Sequence, residues 1–385
     1  MALLKQFSKV LSFLKKNRNH PFIQYQLKRS GLSVDDIKDY EDFKKIKIIG
    51  RKDLADLSKD IDSYLKLFEV CPHKIFESPG GIFNFLFDKY CQYRFYKALE
   101  ISSFGACDVV INTFAYHLTP AGEMFEEAAE KIGATVIPVG PVSSEKCADL
   151  VVRTKATAFI GTKTFLKKVL ENLGDRNSLL KAYLIAEKIT EEERKELAEK
   201  YNIEIYQGYG TAEVGLIATE CEYKDGMHID DELFVEFLSV DHTENVKEGE
   251  LGEVIVTLLN EKFPLIRYGT GDLSKYILSE CKCERESIRI LGIFGRTDSS
   301  VKVKGVFIHK WQFDEFCSAN SIAGRLEVNS DEEKFDYLIL RVNSNVKDIH
   351  KKFKDVFKVS LKDVIIDEKI KENEIIDNRE YLKKR

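Results

Sequence analysis

The chain has 385 residues, 44% hydrophobic and 32% charged, with 59 basic against 64 acidic side chains and a net charge of −5. That length predicts two or three domains, and the balance excludes a disordered or fibrous chain and argues against nucleic-acid binding driven by bulk charge. No segment approaches the roughly 20 apolar residues of a membrane span, and lysines interrupt the first sixteen positions, so a cytoplasmic protein with reduced cysteines is expected.

Residues 1–70 read as a helical region, with Leu4, Phe7, Val10, Leu11 and Leu14 on one face at spacings of three and four. Beyond it, short strands alternate with helices. Asp108 to Phe114 reads as a strand, Pro120 to Ile132 as a helix closed by Gly133, and Thr135 to Val139 as a strand. Thr157 to Ile160 is a further strand, and Thr164 to Leu173 a helix stopped by Gly174. Thr190 with Glu193 forms a capping box opening a helix through Lys200, and the strand Ile203 to Tyr206 follows. Such alternation implies a mostly parallel sheet covered by helices. From Glu232 the pattern becomes strands alone, at Leu233 to Phe237, Glu253 to Leu258 and Leu265 to Tyr268. We expect these to form a small β-rich layer closing the large domain of residues 71–296. A boundary near Thr297 and Asp298 leads into a smaller domain, 298–385, with a strand-like Val301 to Ile308, a helical Val346 to Phe357 and a Lys/Glu-rich tail.

Three segments carry candidate chemistry. In Tyr206-Gln207-Gly208-Tyr209-Gly210-Thr211-Ala212-Glu213, two glycines permit close backbone approach just past a strand, where open α/β sheets bind ligands. Tyr209 offers a ring for stacking and Glu213 a carboxylate for a hard cation. In Pro264 to Leu273, Asp272 follows a Thr-Gly turn and can accept from vicinal ribose hydroxyls, or it can simply cap its own turn. In Gly295 to Gly305, Arg296 stands at the domain boundary before an extended basic strand.

In this order the three segments resemble the signature of the acyl-adenylate-forming superfamily, and specifically its phenylacetate–CoA ligase branch. The stretch Asn112 to Gly122 looks like the acid-pocket segment of one subgroup, and His20-Pro21-Phe22 with Leu32 to Asp36 looks like the helical start. The resemblance implies an α/β large domain and a small mobile α+β C-terminal lid. It also implies ATP-dependent activation of an aryl or other hydrophobic acid to acyl-AMP, then transfer to CoA. Carried over residue by residue, Tyr209 packs on adenine and Gly210 and Thr211 share its segment. Glu213 holds Mg²⁺, and Asp272 and Arg296 bind the ribose. Asp298 is the hinge, Lys302 to Gly305 lines the pantetheine tunnel, and Tyr116, His117 and Gly208 border the acyl pocket. Lys371 is the candidate catalytic lysine bridging carboxylate and α-phosphate, with Lys369 its competitor. A homodimer and a carrier-protein partner are both compatible with the resemblance.

The chain departs from the family at the phosphate loop. Where Ser-Ser-Gly-Thr-Thr-Gly is usual, it has Phe76-Glu77-Ser78-Pro79-Gly80-Gly81. Ser78, Gly80 and Gly81 can still offer backbone amides to phosphate, and a purely structural turn is the alternative. Ala212 also replaces a hydroxyl residue. Transfer to an amine or carrier protein, or a degenerate nucleotide-binding relative, are therefore alternative outcomes. Separately, Cys221, His228, Cys281 and Cys283 make a Cys₃His set suited to structural zinc, with free thiols as the bland alternative.

Overall fold

The computed structural model describes the chain apart from residues 1, 240, 241, 243, 298–300, 305, 309, 332–334 and 380–385, and at 2–6, 302, 307 and 311 it describes backbone alone. Asp298 and Gly305 therefore lie outside the described residues, as does the side chain of Lys302. The contacts divide the chain into two units, Met1–Gly295 and Arg296–Arg385. Among the described residues no helix is long and apolar enough to cross a membrane.

The first unit opens with helices α1 (Ala2–Lys16), α2 (Pro21–Lys28), α3 (Tyr40–Lys44), α4 (Arg51–Ser58) and α5 (Ile61–Leu65), with the two-residue strand β1 (Ile49–Gly50) before α4. Of the predicted face of α1, the Leu4 side chain lies outside the described residues, and Phe7, Val10, Leu11 and Leu14 turn toward the core. Phe7, Val10 and Leu14 are buried with Ile23, Leu27 and Phe43, and the cluster continues onto Phe234 and Ile266 of the sheet. A hairpin follows, β2 (Lys74–Ser78) against β3 (Ile82–Leu86), and then helix α6 (Phe95–Ile101).

The alternating region contains β4 (Val109–Asn112), α7 (Ala121–Lys131), β5 (Thr135–Pro138), α8 (Ser144–Thr154), β6 (Ala158–Gly161), α9 (Lys163–Leu173), β7 (Lys181–Leu184), α10 (Glu191–Tyr201) and β8 (Glu204–Thr211). The expected capping box opens α10, where Glu193 N–H donates to Thr190 Oγ1 at 3.2 Å and Thr190 N–H to Glu193 Oε2 at 3.0 Å. Strands β5, β4, β6, β7 and β8 lie side by side and parallel. Successive side chains feed opposite cores. Phe159, Ala182 and Ile205 pack with α8, α9 and α10, whereas Ala158, Ile160, Tyr183 and Tyr206 pack with α6 and α7. Period-two alternation with both faces apolar is what a sheet covered on both sides requires.

Two expectations need correction here. The strands after Glu232 do not form a separate layer. Strands β9 (Gly215–Glu220), β10 (Met227–Ile229), β11 (Leu233–Leu238), β12 (Gly252–Leu258), β13 (Leu265–Ile277) and β14 (Arg289–Arg296) continue the same twelve-stranded sheet, in the order β8-β9-β10-β14-β13-β12-β11, with β1 alongside β13. Nor is Gly208-Tyr209-Gly210 a turn past a strand. It is the second half of β8, whose first half pairs parallel with β7 and whose second half pairs antiparallel with β9. The glycines serve close approach rather than turning. A Cβ at Gly208 would sit 1.8 Å from the Tyr183 hydroxyl, and one at Gly210 would sit 2.3 Å from Gly215 O.

The second unit contains the hairpin β15 (Val301–Val303) and β16 (Val306–Ile308), helix α11 (Lys310–Ala319), strands β17 (Gly324–Ser330) and β18 (Asp336–Val342), helix α12 (Ile349–Phe357), and strands β19 (Asp363–Ile366) and β20 (Glu374–Asp377). Its sheet runs β19-β18-β17-β20 over a core that includes Phe313, Phe316, Leu340, Phe353 and Phe357. The single strand expected from Val301 to Ile308 is instead two strands turning at Lys304, whose φ is +50°. The Lys/Glu-rich tail is structured too, since β19 and β20 add parallel to the two central strands.

Candidate functional site

Site residues gather where β8 changes partner, beside the carboxyl ends of the parallel strands. Tyr209 is buried in β8, and its hydroxyl donates to Asp272 Oδ2 at 2.8 Å. Asp272 sits on β13 and is also buried. Its backbone N–H donates to Thr270 Oγ1 at 3.1 Å, and Thr270 Oγ1 donates in turn to Val254 O at 2.8 Å. Two residues far apart in sequence thus meet side chain to side chain.

Glu213 follows β8 in the turn toward β9, with its carboxylate almost wholly buried. Its Oε1 accepts from Arg51 Nη1 at 3.0 Å, and its Oε2 is buried with no hydrogen-bond partner among the described residues. Arg51 opens α4, and its Nη2 reaches Pro79 O at 3.4 Å, so one guanidinium spans Glu213 and the Ser78–Gly81 hairpin. The helix start is fixed by β1, where Gly50 pairs with Gly269, three residues before Asp272. Arg267 reinforces this placement: its Nη1 donates to the carbonyls of Lys44 and Ile46, and its Nε to Glu236 Oε2 at 2.9 Å. Arg267 in the second motif therefore anchors the segment that delivers Arg51. Sequence reading missed Arg51, because an arginine opening a short helix has no distinctive local pattern.

The Ser78-Pro79-Gly80-Gly81 segment is the tight turn of the β2–β3 hairpin, with φ of +107° at Gly80 and +69° at Gly81. Ser78 faces inward, and its Oγ accepts from Asn84 Nδ2 at 2.7 Å. Glu77 is exposed, as strand alternation requires, so its charge is directed away from Ser78. Its N–H donates to Leu118 O at 2.8 Å, which ties the hairpin to the Tyr116–Leu118 segment. Tyr116 is half-buried over Gly122, and its hydroxyl accepts from Asn112 Nδ2 at 2.8 Å, whereas His117 is exposed. Phe114 and Phe125 stack at 5.2 Å between centroids, and Phe125 also meets Tyr183, the residue closing over Gly208. They belong to the core.

Arg296 is the last residue of β14, the strand beside β13, and the first of the second unit. Lys371 and Lys369 are both exposed in the second unit, flanking buried Ile370 just ahead of β20. A groove of about 450 Å³, lined by Leu180, Arg194, Glu204 and Lys224 among others, opens at the amino ends of β7 and β8, away from Tyr209.

The four zinc candidates do meet. The donor atoms of Cys221, His228, Cys281 and Cys283 lie within 4.8 Å of one another. Cys221 Sγ and Cys281 Sγ are 3.7 Å apart, and Cys283 Sγ is 3.3 Å from His228 Nε2. Tetrahedral zinc, with Zn–S of about 2.3 Å and Zn–N of about 2.0 Å, implies edges of roughly 3.8 Å for S···S and 3.5 Å for S···N. The set fits. His228 Nδ1 lies 2.7 Å from Ser287 Oγ, which orients the ring. Burial first, and then Arg289 and Arg285, push the His228 pKa down to about 4, so the imidazole is neutral as a ligand must be.

Residues 88–257 match the AMP-binding enzyme family. Phenylacetate–coenzyme A ligase of Thermus thermophilus is 31% identical over 214 residues, 53% of this chain and 48% of that enzyme. The ligase of the same name from Escherichia coli K12 is 27% identical over 316 residues, 77% of this chain and 71% of that enzyme. The chain is thus similar to the AMP-binding enzymes over residues 88–257 and to phenylacetate–coenzyme A ligases over part of their length. It spans about half the length of the Thermus relative. A crystal structure of 2-hydroxyisobutyryl-CoA ligase, in complex with 2-HIB-AMP and CoA in the thioesterification state, superposes with a TM-score of 0.82 at 19% identity. That likeness covers 100% of this chain and 90% of the other, and it fixes the fold.

Proposed function

We propose that this chain is an AMP-binding enzyme that activates a carboxylic acid with ATP to an acyl-adenylate and transfers the acyl group to CoA. The observation that carries the reading is the Tyr209–Asp272 contact, which joins the two family motifs in one buried position. In this reading Asp272 accepts the vicinal ribose hydroxyls and the Tyr209 ring lies against adenine. The hairpin amides at Gly80 and Gly81 face phosphate oxygens, and the Arg51 guanidinium beside them supplies the positive charge that the shortened loop lacks. The free Oε2 of Glu213 is a hard oxygen ligand for Mg²⁺, which when bound neutralises charge on the transferring phosphates. Tyr116, His117 and Gly208 border the acid. Arg296 completes the ribose site, Asp298 is the hinge, Lys302 to Gly305 lines the thiol's path, and Lys371 steadies the α-phosphate.

The test is pyrophosphate release across a panel of aryl and short aliphatic acids, with and without CoA. Acid-dependent release with a CoA thioester product is expected. Release without thioester would move the acceptor to an amine or a carrier protein. AMP binding with no release for any acid would favour the degenerate reading, which the engagement of Ser78 Oγ by Asn84 supports.

We also read the Cys₃His cluster as a structural zinc site that pins β9, β10 and the β13–β14 connection together, in a cytoplasmic protein whose cysteines stay reduced. Metal analysis of the purified chain should return one zinc, and Ser287→Ala should weaken zinc affinity by roughly 10-fold through loss of ring orientation. Protein purified without zinc and equally stable to chelator would end this assignment.

A further inference from the structure

Asp272 owes its position to an irregularity in the sheet. Strand β12 pairs with β13 at Glu253 with Leu273 and at Ile255 with Gly269, so two steps along one strand correspond to four along the other. The excess lies at Thr270, Gly271 and Asp272, with Gly271 at φ +74°. Bulges of this kind re-aim a side chain, and here the side chain re-aimed is the one that meets Tyr209.

The bulge is held from below by a buried carboxylate. Glu253 Oε1 accepts from Gly271 N–H at 3.0 Å, and Glu253 Oε2 accepts from His242 Nε2 at 2.6 Å. The Glu253 side chain is only 5% exposed, so both oxygens depend on protein donors. A Cβ at Gly269 would lie 2.9 Å from Glu253 Oε1, which shows how closely the carboxylate packs under the strand. Neither Glu253 nor His242 belongs to a segment that sequence reading singled out as chemical.

We propose that Glu253, oriented by His242, is a positioning residue that sets Asp272 for the ribose hydroxyls by holding the Gly271 amide. The inference rests on the nucleotide reading given above. It separates Glu253 from the ordinary buried ion pairs of the sheet by assigning it one measurable consequence: discrimination for the sugar hydroxyls.

The experiment measures binding of AMP and of 2′,3′-dideoxy-AMP to the full chain and to its Glu253→Leu, Glu253→Gln and His242→Leu variants, with thermal melting as the control for folding. Wild type should prefer AMP by roughly 30-fold, two charge-assisted hydrogen bonds being at stake. Glu253→Leu should collapse that preference to about 3-fold or less, with the dideoxy analogue bound much as before. Glu253→Gln keeps an acceptor for Gly271 and should stay within about 3-fold of wild type. A folded Glu253→Leu protein with the full preference would overturn the proposal, and so would a Glu253→Gln loss as large as that of leucine. Should Glu253→Leu fail to fold, His242→Leu decides, a reduced preference supporting the role and an unchanged one overturning it. Wild type indifferent to the sugar hydroxyls would instead sink the ribose reading of Asp272, and the positioning role with it.

Discussion

The two ends of the candidate nucleotide site are built differently. At the ribose end, Tyr209 and Asp272 sit on β8 and β13 of one continuous sheet, Tyr209 paired with β9 and Asp272 in the bulge against β12, and their side chains are joined by a hydrogen bond. At the phosphate end, the groups come from a hairpin turn, a helix start and a loop, and they are tied to one another: Arg51 to Glu213 and Pro79, Ser78 to Asn84. A sheet holds such a pair through the backbone on either side of the contact, whereas the hairpin, helix start and loop are held by contacts between their own polar groups. On the proposed reading the ribose end is preorganised, and the phosphate end exchanges partners when a polyphosphate arrives.

Arg51→Met should break this contrast most severely. The Glu213 side chain is 1% exposed, and removing its partner leaves a buried carboxylate unpaired, at a cost of roughly 3–5 kcal/mol. Urea unfolding should report that loss, and the double variant Arg51→Met/Glu213→Leu should recover much of it while remaining unable to release pyrophosphate. A loss below about 0.5 kcal/mol for the single variant would mean that the phosphate end is not held by this pair.

Next in size is Asp272→Asn. The amide keeps its place beside Tyr209 but accepts less strongly, so AMP affinity should fall by roughly 30-fold, about 2 kcal/mol, with the melting temperature little changed. Tyr209→Phe removes only the orienting hydroxyl and should cost AMP affinity a smaller factor, about 3- to 10-fold. Equal losses of affinity and stability in both variants would mean that the pair is a structural contact and that the ribose end is no more prepared than the other.

The same contrast explains what the sequence made legible. The α/β alternation between Asp108 and Tyr206 could be read because those strands are buried on both faces and bounded by capped helices, so apolar runs and turn residues agree. The glycines at 208 and 210 misled, since glycine usually ends a strand, whereas here their missing side chains admit Tyr183 and Gly215. Strands β19 and β20 were illegible for another reason: no residue in either is fully buried, so little apolar pattern marks them. The motif residues Tyr209, Glu213 and Asp272 could be found because their segments resemble a family. Arg51, Glu253 and His242 could not, because each acts through a contact made only in three dimensions.

The smallest expected effect falls on Ser78, and it discriminates most finely. If the hairpin binds phosphate through its backbone, the Ser78 hydroxyl is already committed to Asn84 and has only a structural role. Ser78→Ala should then cost about 1 kcal/mol of stability, leaving Asn84 Nδ2 its second acceptor at Ile82 O, and should change pyrophosphate release by less than about 5-fold. A hydroxyl that turned from Asn84 to phosphate during the reaction would contribute a hydrogen bond to a charged group, and its loss should lower turnover by roughly 10- to 100-fold with little change in melting. The first outcome keeps the phosphate end as a self-tied turn served by Arg51. The second would make it a loop that opens on binding, and would erase the contrast with the ribose end.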